Sequence, residues 1–184
     1  MVNNIYYDSE NDILILEARV PKSKQCRCGI CNRKSKLYDK GRGERKWRCN
    51  DAGSTKTYIQ AESPRVKCGE HGVVTAAVPW ARHKSRYCKT FEDTTAWLTV
   101  HASRNAAAEY MRVKWHGIGG ICNRVYKELE ARQPFRFDGL IRIGIDETGC
   151  KKGHKYLTVV TNHDTGKVIW FSIGYGKETL SEFF

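Results

Sequence analysis

Two pairs of metal-binding side chains constrain the fold of this chain more than any other feature. Cys28 and Cys31 flank a two-residue gap, and so do Cys68 and His71, with 36 residues between the pairs. A two-residue gap lets a tight turn aim both ligand atoms at one ion, and Gly29 relieves crowding in the first turn. The pattern predicts a tetrahedral Cys₃His site for structural Zn²⁺, with a hairpin inserted between the pairs.

The remaining cysteines leave part of the ligand set open. The chain has eight cysteines, and in a reducing compartment these indicate metal ligation more than disulfides. Cys26 could replace one proposed ligand, and Cys49 has no partner two or three residues on. We interpret Cys88, Cys122 and Cys150 as solitary, small, buried or half-buried side chains.

Positive charge is concentrated in one part of the chain. The 184 residues carry a formal net charge of +12, and residues 21–90 hold 18 basic against five acidic side chains. This excess predicts a polyanionic partner, either nucleic acid or an anionic membrane surface.

The sequence contains no apolar run long enough to span a bilayer, and acidic residues stand where a secretory signal would be basic. We therefore expect a soluble, non-exported protein.

Periodicity divides the chain into three parts. Residues 1–90 have short β-prone pieces at 12–20, 57–61 and 72–78, as in a small metal-stapled β module. Helical patterns follow at 91–102, 104–111 and 115–131, and Pro134 should end the last of them. Strand patterns then occupy 140–147, 155–161 and 168–173, the last two joined by a turn-forming segment at 162–166. We predict a multidomain α+β fold with domains at 1–90, 91–137 and 138–184.

Apolar spacing in residues 104–131 matches a helix-turn-helix. Ala108 is small enough for two helices to approach, Met111 and Val113 follow in the turn region, and Ile118 and Ile121 anchor the second helix. These offsets predict that the five side chains form one small core. An ordinary three-helix packing unit is the alternative.

The outer face of the second helix would then be free to enter the major groove of DNA. Arg and Asn can contact guanine and adenine edges in two places at once. Arg112 and Lys114 stand where this motif commonly has Gly and a capping Ser or Thr, and three glycines weaken the helix by ~1 kcal/mol each. The proposed DNA-binding residues are Lys114, Trp115, His116, Asn123 and Arg124.

A strictly alternating strand near the C-terminal end carries one acidic residue. Ile141, Ile143 and Ile145 share one face, whereas Arg142, Gly144 and Asp146 share the other. The glycine leaves room beside the Asp146 carboxylate for a hydrated divalent ion. An acidic residue at a strand end is also commonly just solvated, so the pattern alone leaves both interpretations open.

The order of these parts resembles one family. The sequence around Cys28 to Cys31, the segment 65–74 with Cys68 and His71, and the segment 78–81 resemble the ISL-three family of bacterial insertion-sequence transposases. So do the segments 91–94 and 96–98, the strand Ile143–Glu147, and the segment 152–160. The likeness extends from about Cys26 to the last residue.

The resemblance implies a zinc-binding segment, a helix-turn-helix that reads the element's terminal inverted repeats in double-stranded DNA, and a catalytic domain of RNase-H-like α/β fold. In that family two Asp and one Glu hold two Mg²⁺ or Mn²⁺ ions for phosphoryl transfer on DNA, and Asp146 corresponds to the first. Glu147 would have a packing or supporting role. The resemblance also implies a bacterial, cytoplasmic, nucleoid-associated protein, with a homodimer left open.

The family's second Asp and its Glu have no counterpart in this sequence. Asp164, Glu178 and Glu182 do not match their positions, so we expect an incomplete catalytic domain with three strands, and no strand cleavage by this chain alone. Two other classes stay open: a zinc-containing helix-turn-helix transcriptional regulator without catalytic activity, and a zinc-ribbon RNA-binding protein. The helix-turn-helix spacing disfavours the RNA-binding protein.

Overall fold

The computed structural model describes residues 1–132, 137–151, 153 and 155–184, so Pro134, Lys152 and His154 lie outside the described residues. The chain forms two compact units, Met1–Leu129 and Glu130–Phe184. The helices are α1 (Lys89–His101), α2 (Arg104–Tyr110), α3 (Trp115–Arg132) and α4 (Gly176–Leu180). The strands are β1 (Val2–Asp8), β2 (Ile13–Ala18), β3 (Lys36–Asp39), β4 (Glu44–Arg48), β5 (Lys56–Glu62), β6 (Arg65–Cys68), β7 (Gly72–Thr75), β8 (Ile143–Lys151), β9 (Lys155–Asn162) and β10 (Lys167–Ile173). The mixed α+β architecture agrees with the sequence prediction.

A four-stranded sheet begins the first unit, in the order β1-β2-β5-β4. β2 and β5 pair in parallel, while the two outer pairings are antiparallel. Trp47 and Ala61 lie on one face of this sheet and are buried in a shared core cluster, whereas Ile15 is buried on the opposite face. Strands β2 and β5 correspond to the β-prone pieces predicted at 12–20 and 57–61. β4 was not, because Trp47 is its one large apolar side chain among charged neighbours.

A smaller sheet, in the order β3-β6-β7, carries the metal-type residues. β6 ends at Cys68, and the turn at residues 69–71 leads into β7. Between β3 and β6, the antiparallel pair β4 and β5 leaves this sheet and joins the four-stranded one. The inserted hairpin predicted between the two ligand pairs is therefore present, and its strands belong to a different sheet.

The three helices of the first unit fall within one or two residues of their predicted bounds. Ser103 caps α2 by accepting a hydrogen bond from the Ala106 N–H at 3.1 Å. The core prediction was wrong in one respect. Ala108 and Ile118 pack in one cluster with Val113 against it, but Met111 and Ile121 pack in another with Trp47 and Phe91. The helices share their core with the β module because α3 and the turn before it contact the four-stranded sheet's apolar side chains.

The second unit holds an antiparallel sheet in the order β10-β9-β8. The predicted turn at 162–166 joins β9 and β10, with the Asn162 side chain accepting hydrogen bonds from the N–H groups of Asp164 and Thr165. Val160 and Thr158 on the central strand are fully buried, and Thr158 donates to the Gly174 carbonyl at 3.0 Å.

Within the described ranges, no helix has the length and apolar character needed to cross a membrane.

Candidate metal centre and nucleic-acid interface

The four predicted zinc ligands lie together. The ligand atoms of Cys28, Cys31, Cys68 and His71 all lie within 4.8 Å of one another. The Cys31 and Cys68 sulfurs are 3.8 Å apart, and His71 Nδ1 lies 3.8 Å from Cys28 Sγ and 3.7 Å from Cys68 Sγ. A tetrahedron with Zn–S bonds of ~2.3 Å has edges of ~3.8 Å between sulfurs, so the donor set fits the tetrahedral geometry of structural zinc.

Local structure explains how the two turns aim these ligands. The Ile30 N–H points at Cys28 Sγ at 3.4 Å, as the two-residue gap requires. A Cβ on Gly29 would stand 2.5 Å from the Thr75 carbonyl oxygen, so this position accepts glycine alone without rearrangement. In the second turn, backbone hydrogen bonding from His71 lowers the pKa of the Cys68 thiol to about 6. The turn therefore favours the thiolate, which is the form that binds metal.

The imidazole of His71 has a defined orientation. Its Nδ1 faces the cysteine sulfurs, and its Nε2 lies 3.9 Å from the Glu70 carboxylate. A carboxylate near the second ring nitrogen is the common way in which proteins orient a metal-binding histidine. Glu70 also pairs with Arg33 across the two turns.

The cysteines outside this cluster have other surroundings. Cys26 is half-buried and is not a member of the group of ligand atoms found among the described residues. The interpretation of Cys88 as solitary was wrong, because Cys49 and Cys88 form a disulfide with Cα atoms 5.1 Å apart. Neither was expected to pair, since 39 positions separate them. A parallel bridge between Arg48 and Tyr87, in which the Cys88 N–H donates to the Arg48 carbonyl at 2.7 Å, places the two cysteines side by side. Cys122 lies 3.3 Å from Thr99 Oγ1, and the side chain of Cys150 lies outside the described residues.

The turn between α2 and α3 has the backbone of a helix-turn-helix. Arg112 adopts a φ of 51°, the left-handed conformation that glycine usually provides at this position. The Val113 N–H donates to the Ala108 carbonyl at 3.0 Å, which closes the turn. Arg112 donates from Nε to Asp51 at 3.0 Å and from Nη2 to the Ser54 carbonyl at 2.8 Å. The arginine side chain thus compensates for a backbone conformation that it would not otherwise favour.

The predicted DNA-contacting residues have unequal freedom. Lys114, immediately before α3, is exposed, and so are His116 and Asn123 in the first half of the helix. Trp115 is also exposed, but the Arg104 guanidinium lies 3.8 Å from the centre of its ring. Arg124 donates from Nε to the Glu92 carboxylate at 2.7 Å. Part of the Arg124 guanidinium is therefore already engaged by a carboxylate within the protein.

A buried ionic cluster joins the β module to the helices, and it was not predicted. Glu92 is fully buried and accepts from Ser85 at 2.6 Å, from Arg82 at 3.2 Å and from Arg124. Arg82 also binds Asp93 at 2.7 Å and Glu128 at 2.6 Å. No sequence signal indicates this arrangement, because its members come from a loop, from α1 and from α3.

Asp146 lies on β8 in the second unit, opposite Val159 on β9. Its side chain is exposed and accepts the Glu147 N–H at 2.9 Å. Glu147 accepts the Gly176 N–H at 2.7 Å and so supports the start of α4. Among the described residues, the one group of three or more metal-type ligands is the Cys₃His cluster. Asp146 therefore does not belong to a group of three or more such ligands, and the described residues alone do not fit a site for two divalent ions.

Comparison with protein families gives three consecutive matches. Residues 24–71 match the zinc-finger of transposase IS204/IS1001/IS1096/IS1165, and residues 76–126 match the helix-turn-helix domain of transposase family ISL3. Residues 143–184 match a third model described as a transposase. The first two matches coincide with the Cys₃His module and with the helices, and the third with the sheet that carries Asp146.

Curated proteins with similar sequences are transposases. A transposase for insertion sequence element IS1557 of Mycobacterium tuberculosis is 48% identical over 158 residues, which cover 86% of this chain. A transposase for insertion sequence element IS1001 of Bordetella parapertussis is 24% identical over 118 residues, or 64% of this chain. The matched parts span 35% and 28% of those relatives, so the chain corresponds to about a third of their length. No solved structure matches the chain.

Proposed function

Because this chain belongs to the ISL3 family of transposases, we propose that it is the N-terminal portion of a DDE-type transposase. It binds the ends of its element and, in the complete protein, takes part in metal-dependent cleavage and transfer of DNA strands. The observation that carries the proposal is the collinear match of zinc-finger, helix-turn-helix and transposase models on one chain. A transcriptional regulator is not favoured, because it would not account for the third match.

Zinc has a structural role in this proposal. Cys28, Cys31, Cys68 and His71 would hold one Zn²⁺, and the donor geometry described above supports this ligand set. The ion would join the turn before β3 to the turn between β6 and β7, two segments that are distant in the chain. Closed four-ligand zinc sites of this kind contribute directly to folding.

DNA recognition falls to α3. Lys114, His116 and Asn123 are exposed where a helix-turn-helix contacts base edges, and Asn123 is suited to adenine. Trp115 and Arg124 complete the proposed contact set, although Arg124 would have to share its guanidinium with Glu92. The terminal inverted repeats of the element are the proposed duplex target, and a homodimer would match two such ends.

The catalytic role of the chain is limited to Asp146. We assign it as one ligand of a Mg²⁺ or Mn²⁺ centre, whose ions would supply activation of the attacking oxygen and stabilisation of the leaving one. Its exposure on β8 leaves the carboxylate accessible, while Glu147 supports α4. The RNase-H-like topology, the domain divisions 1–90, 91–137 and 138–184, and nucleoid association remain predictions.

Binding to duplex DNA tests the proposal. The chain should bind a duplex that carries the element's terminal repeat more tightly than a scrambled duplex, and its affinity should fall steeply as salt rises, because neutralised phosphates release counterions. Asn123→Ala should reduce the preference for the repeat, whereas Asn50→Ala, on a loop of the β module, should not. With Mg²⁺ or Mn²⁺ present, the chain alone should not nick DNA. Equal affinity for both duplexes, or robust nicking, would contradict the proposal.

A further inference from the structure

We propose that a basic cleft between the zinc module (residues 24–71) and α3 holds the phosphate backbone of duplex DNA, as a second contact surface beside the recognition residues. The inference rests on the DNA binding proposed above and deepens it. The cleft lies entirely within the first unit and has a volume of about 980 Å³. Six cationic side chains and a single carboxylate line it: Lys24, Arg27, Arg82, Lys89, Arg124, Lys127 and Glu128.

Four of these cations remain available to a ligand. Arg82 and Arg124 are engaged by the carboxylates of Glu92, Asp93 and Glu128. By contrast, Lys24, Arg27, Lys89 and Lys127 have no carboxylate partner among the residues that the structure describes. The one acidic group in the wall, Glu128, is bound to Arg82 at 2.6 Å. The cleft therefore presents an uncompensated positive charge, and concave walls focus such a field toward an anion.

The position of the cleft on α3 points to the DNA backbone rather than to the bases. The N-terminal residues of a recognition helix contact base edges, whereas its later turns lead out of the groove toward phosphates. Lys127 follows Asn123 by four residues and Arg124 by three, so it lies on the same side of α3, one turn farther on. The same side of the helix that would read bases thus continues into the cleft.

The zinc module supplies the opposite part of the cationic lining. Lys24 ends the short 3₁₀ helix before the first metal turn, and Arg27 donates to the Asn32 carbonyl at 3.1 Å across that turn. Cys28 and Gly29 also line the cleft. Lys24 and Arg27 therefore lie next to the first ligand turn and line the same cleft as Lys127. This arrangement gives the zinc module a part in DNA binding as well as in folding.

Two double variants of equal charge test the proposal. Lys24→Ala/Lys127→Ala removes one exposed lysine from each side of the cleft. Lys36→Ala/Lys40→Ala removes two exposed lysines from outside it. Fluorescence anisotropy would measure the affinity of the full chain for the repeat duplex and for a scrambled duplex over a range of salt. Zinc content and circular dichroism would verify that both variants remain folded.

We expect the cleft variant to lose affinity on the order of tenfold at moderate salt, and its salt dependence to decrease by about one to two released counterions. Both duplexes should be affected equally, since phosphate contacts carry no sequence information. The control variant should lose much less. Equal losses in the two variants, or an unchanged salt slope in the cleft variant, would overturn the proposal.

Two further outcomes separate this proposal from the proposed function. If wild type binds the repeat duplex and the cleft variant binds it unchanged, the cleft proposal fails and the proposed function stands. If wild type binds neither duplex, both fail. A cleft variant that loses affinity for single-stranded RNA alone would also overturn the assignment to duplex DNA.

Discussion

At the residue scale, the first unit contains two clusters of polar side chains, the Cys₃His cluster and the ionic cluster around Glu92. The Cys₃His cluster brings three thiols and an imidazole within 4.8 Å of one another. Glu92 is fully buried among Ser85, Arg82 and Arg124. Both clusters connect segments that are distant in sequence, so substitutions in them should affect the whole unit rather than one element.

Cys68→Ser should abolish stoichiometric zinc binding. A serine hydroxyl is a poor ligand for zinc, and three remaining donors do not close a structural site. Metal analysis of the purified chain should find about one zinc per wild-type molecule and far less in the variant. Cys26→Ser is the matched control, because Cys26 lies two residues before the ligand Cys28 but outside the cluster. Unchanged zinc in the Cys68 variant would remove that residue from the ligand set.

Glu92→Gln should destabilise the first unit by about 2–4 kcal/mol, since it removes the buried anion while two arginines remain nearby. Asp93→Asn is the comparison: that carboxylate contacts the same Arg82 but is 54% exposed, and exposed ion pairs contribute about 0–1 kcal/mol. Urea unfolding followed by tryptophan fluorescence measures both. Similar losses in the two variants would show that burial of Glu92 is not what matters.

At the scale of elements, the turn between α2 and α3 combines a strained backbone with a compensating side chain. Arg112 is in the left-handed region with a φ of 51°, and its guanidinium pairs with Asp51 of the β module. The residue that departs from the usual glycine of this motif therefore gains a contact that glycine could not make. The helix-turn-helix is linked to the β module through its own turn.

Comparing two substitutions at this position separates the two effects. Arg112→Ala loses the ion pair and keeps the unfavourable φ, whereas Arg112→Gly loses the ion pair but relieves the backbone. The Gly variant should therefore be more stable than the Ala variant by about 1 kcal/mol, while wild type should lie near the Gly variant. Thermal unfolding monitored by circular dichroism gives the order. An Ala variant as stable as the Gly variant would mean that the backbone stores no strain here.

At the scale of the whole molecule, strands of the β module and helices of the first unit share one core cluster. Met111 and Ile121 of the helix-turn-helix pack in the same cluster as Trp47 of β4 and Ala61 of β5. The disulfide between Cys49 and Cys88 joins the end of β4 to the residue before α1. DNA-binding helices and zinc module should therefore unfold together.

Loss of this disulfide should reduce the stability of the first unit by about 2–4 kcal/mol, as expected for a loop of this length. Cys49→Ser provides the test, with Cys122→Ser as a control that removes a cysteine outside the bond. In wild type, peptides containing Cys49 and Cys88 should react with an alkylating reagent only after reduction, as measured by mass spectrometry of the denatured chain. Labelling of both residues without reduction would contradict the bond.

Particular residues mark how far sequence reasoning reached. Local spacing predicted Cys28, Cys31, Cys68 and His71 as one group, and helical periodicity predicted α1 to α3 nearly to the residue. Strands β1, β3, β4 and β6 escaped prediction, because β1 lacks a regular alternation of apolar side chains and the other three have few apolar residues among charged ones. Cys88 was misinterpreted as solitary, because nothing in the local sequence indicates a partner 39 positions away.

The sequence by itself therefore determined the three helices of the first unit, the strands of the second unit, the ligand pairs and the family, because each of these depends on spacing within a turn, a helix or a strand. Only the tertiary structure decided which side chains share a core, why Glu92 is buried, where Arg124 is engaged and which cations line one cleft. These depend on contacts between segments that are tens of residues apart in the sequence. Such contacts form when apolar faces pack together, and this packing also brings the neighbouring charged side chains close to one another.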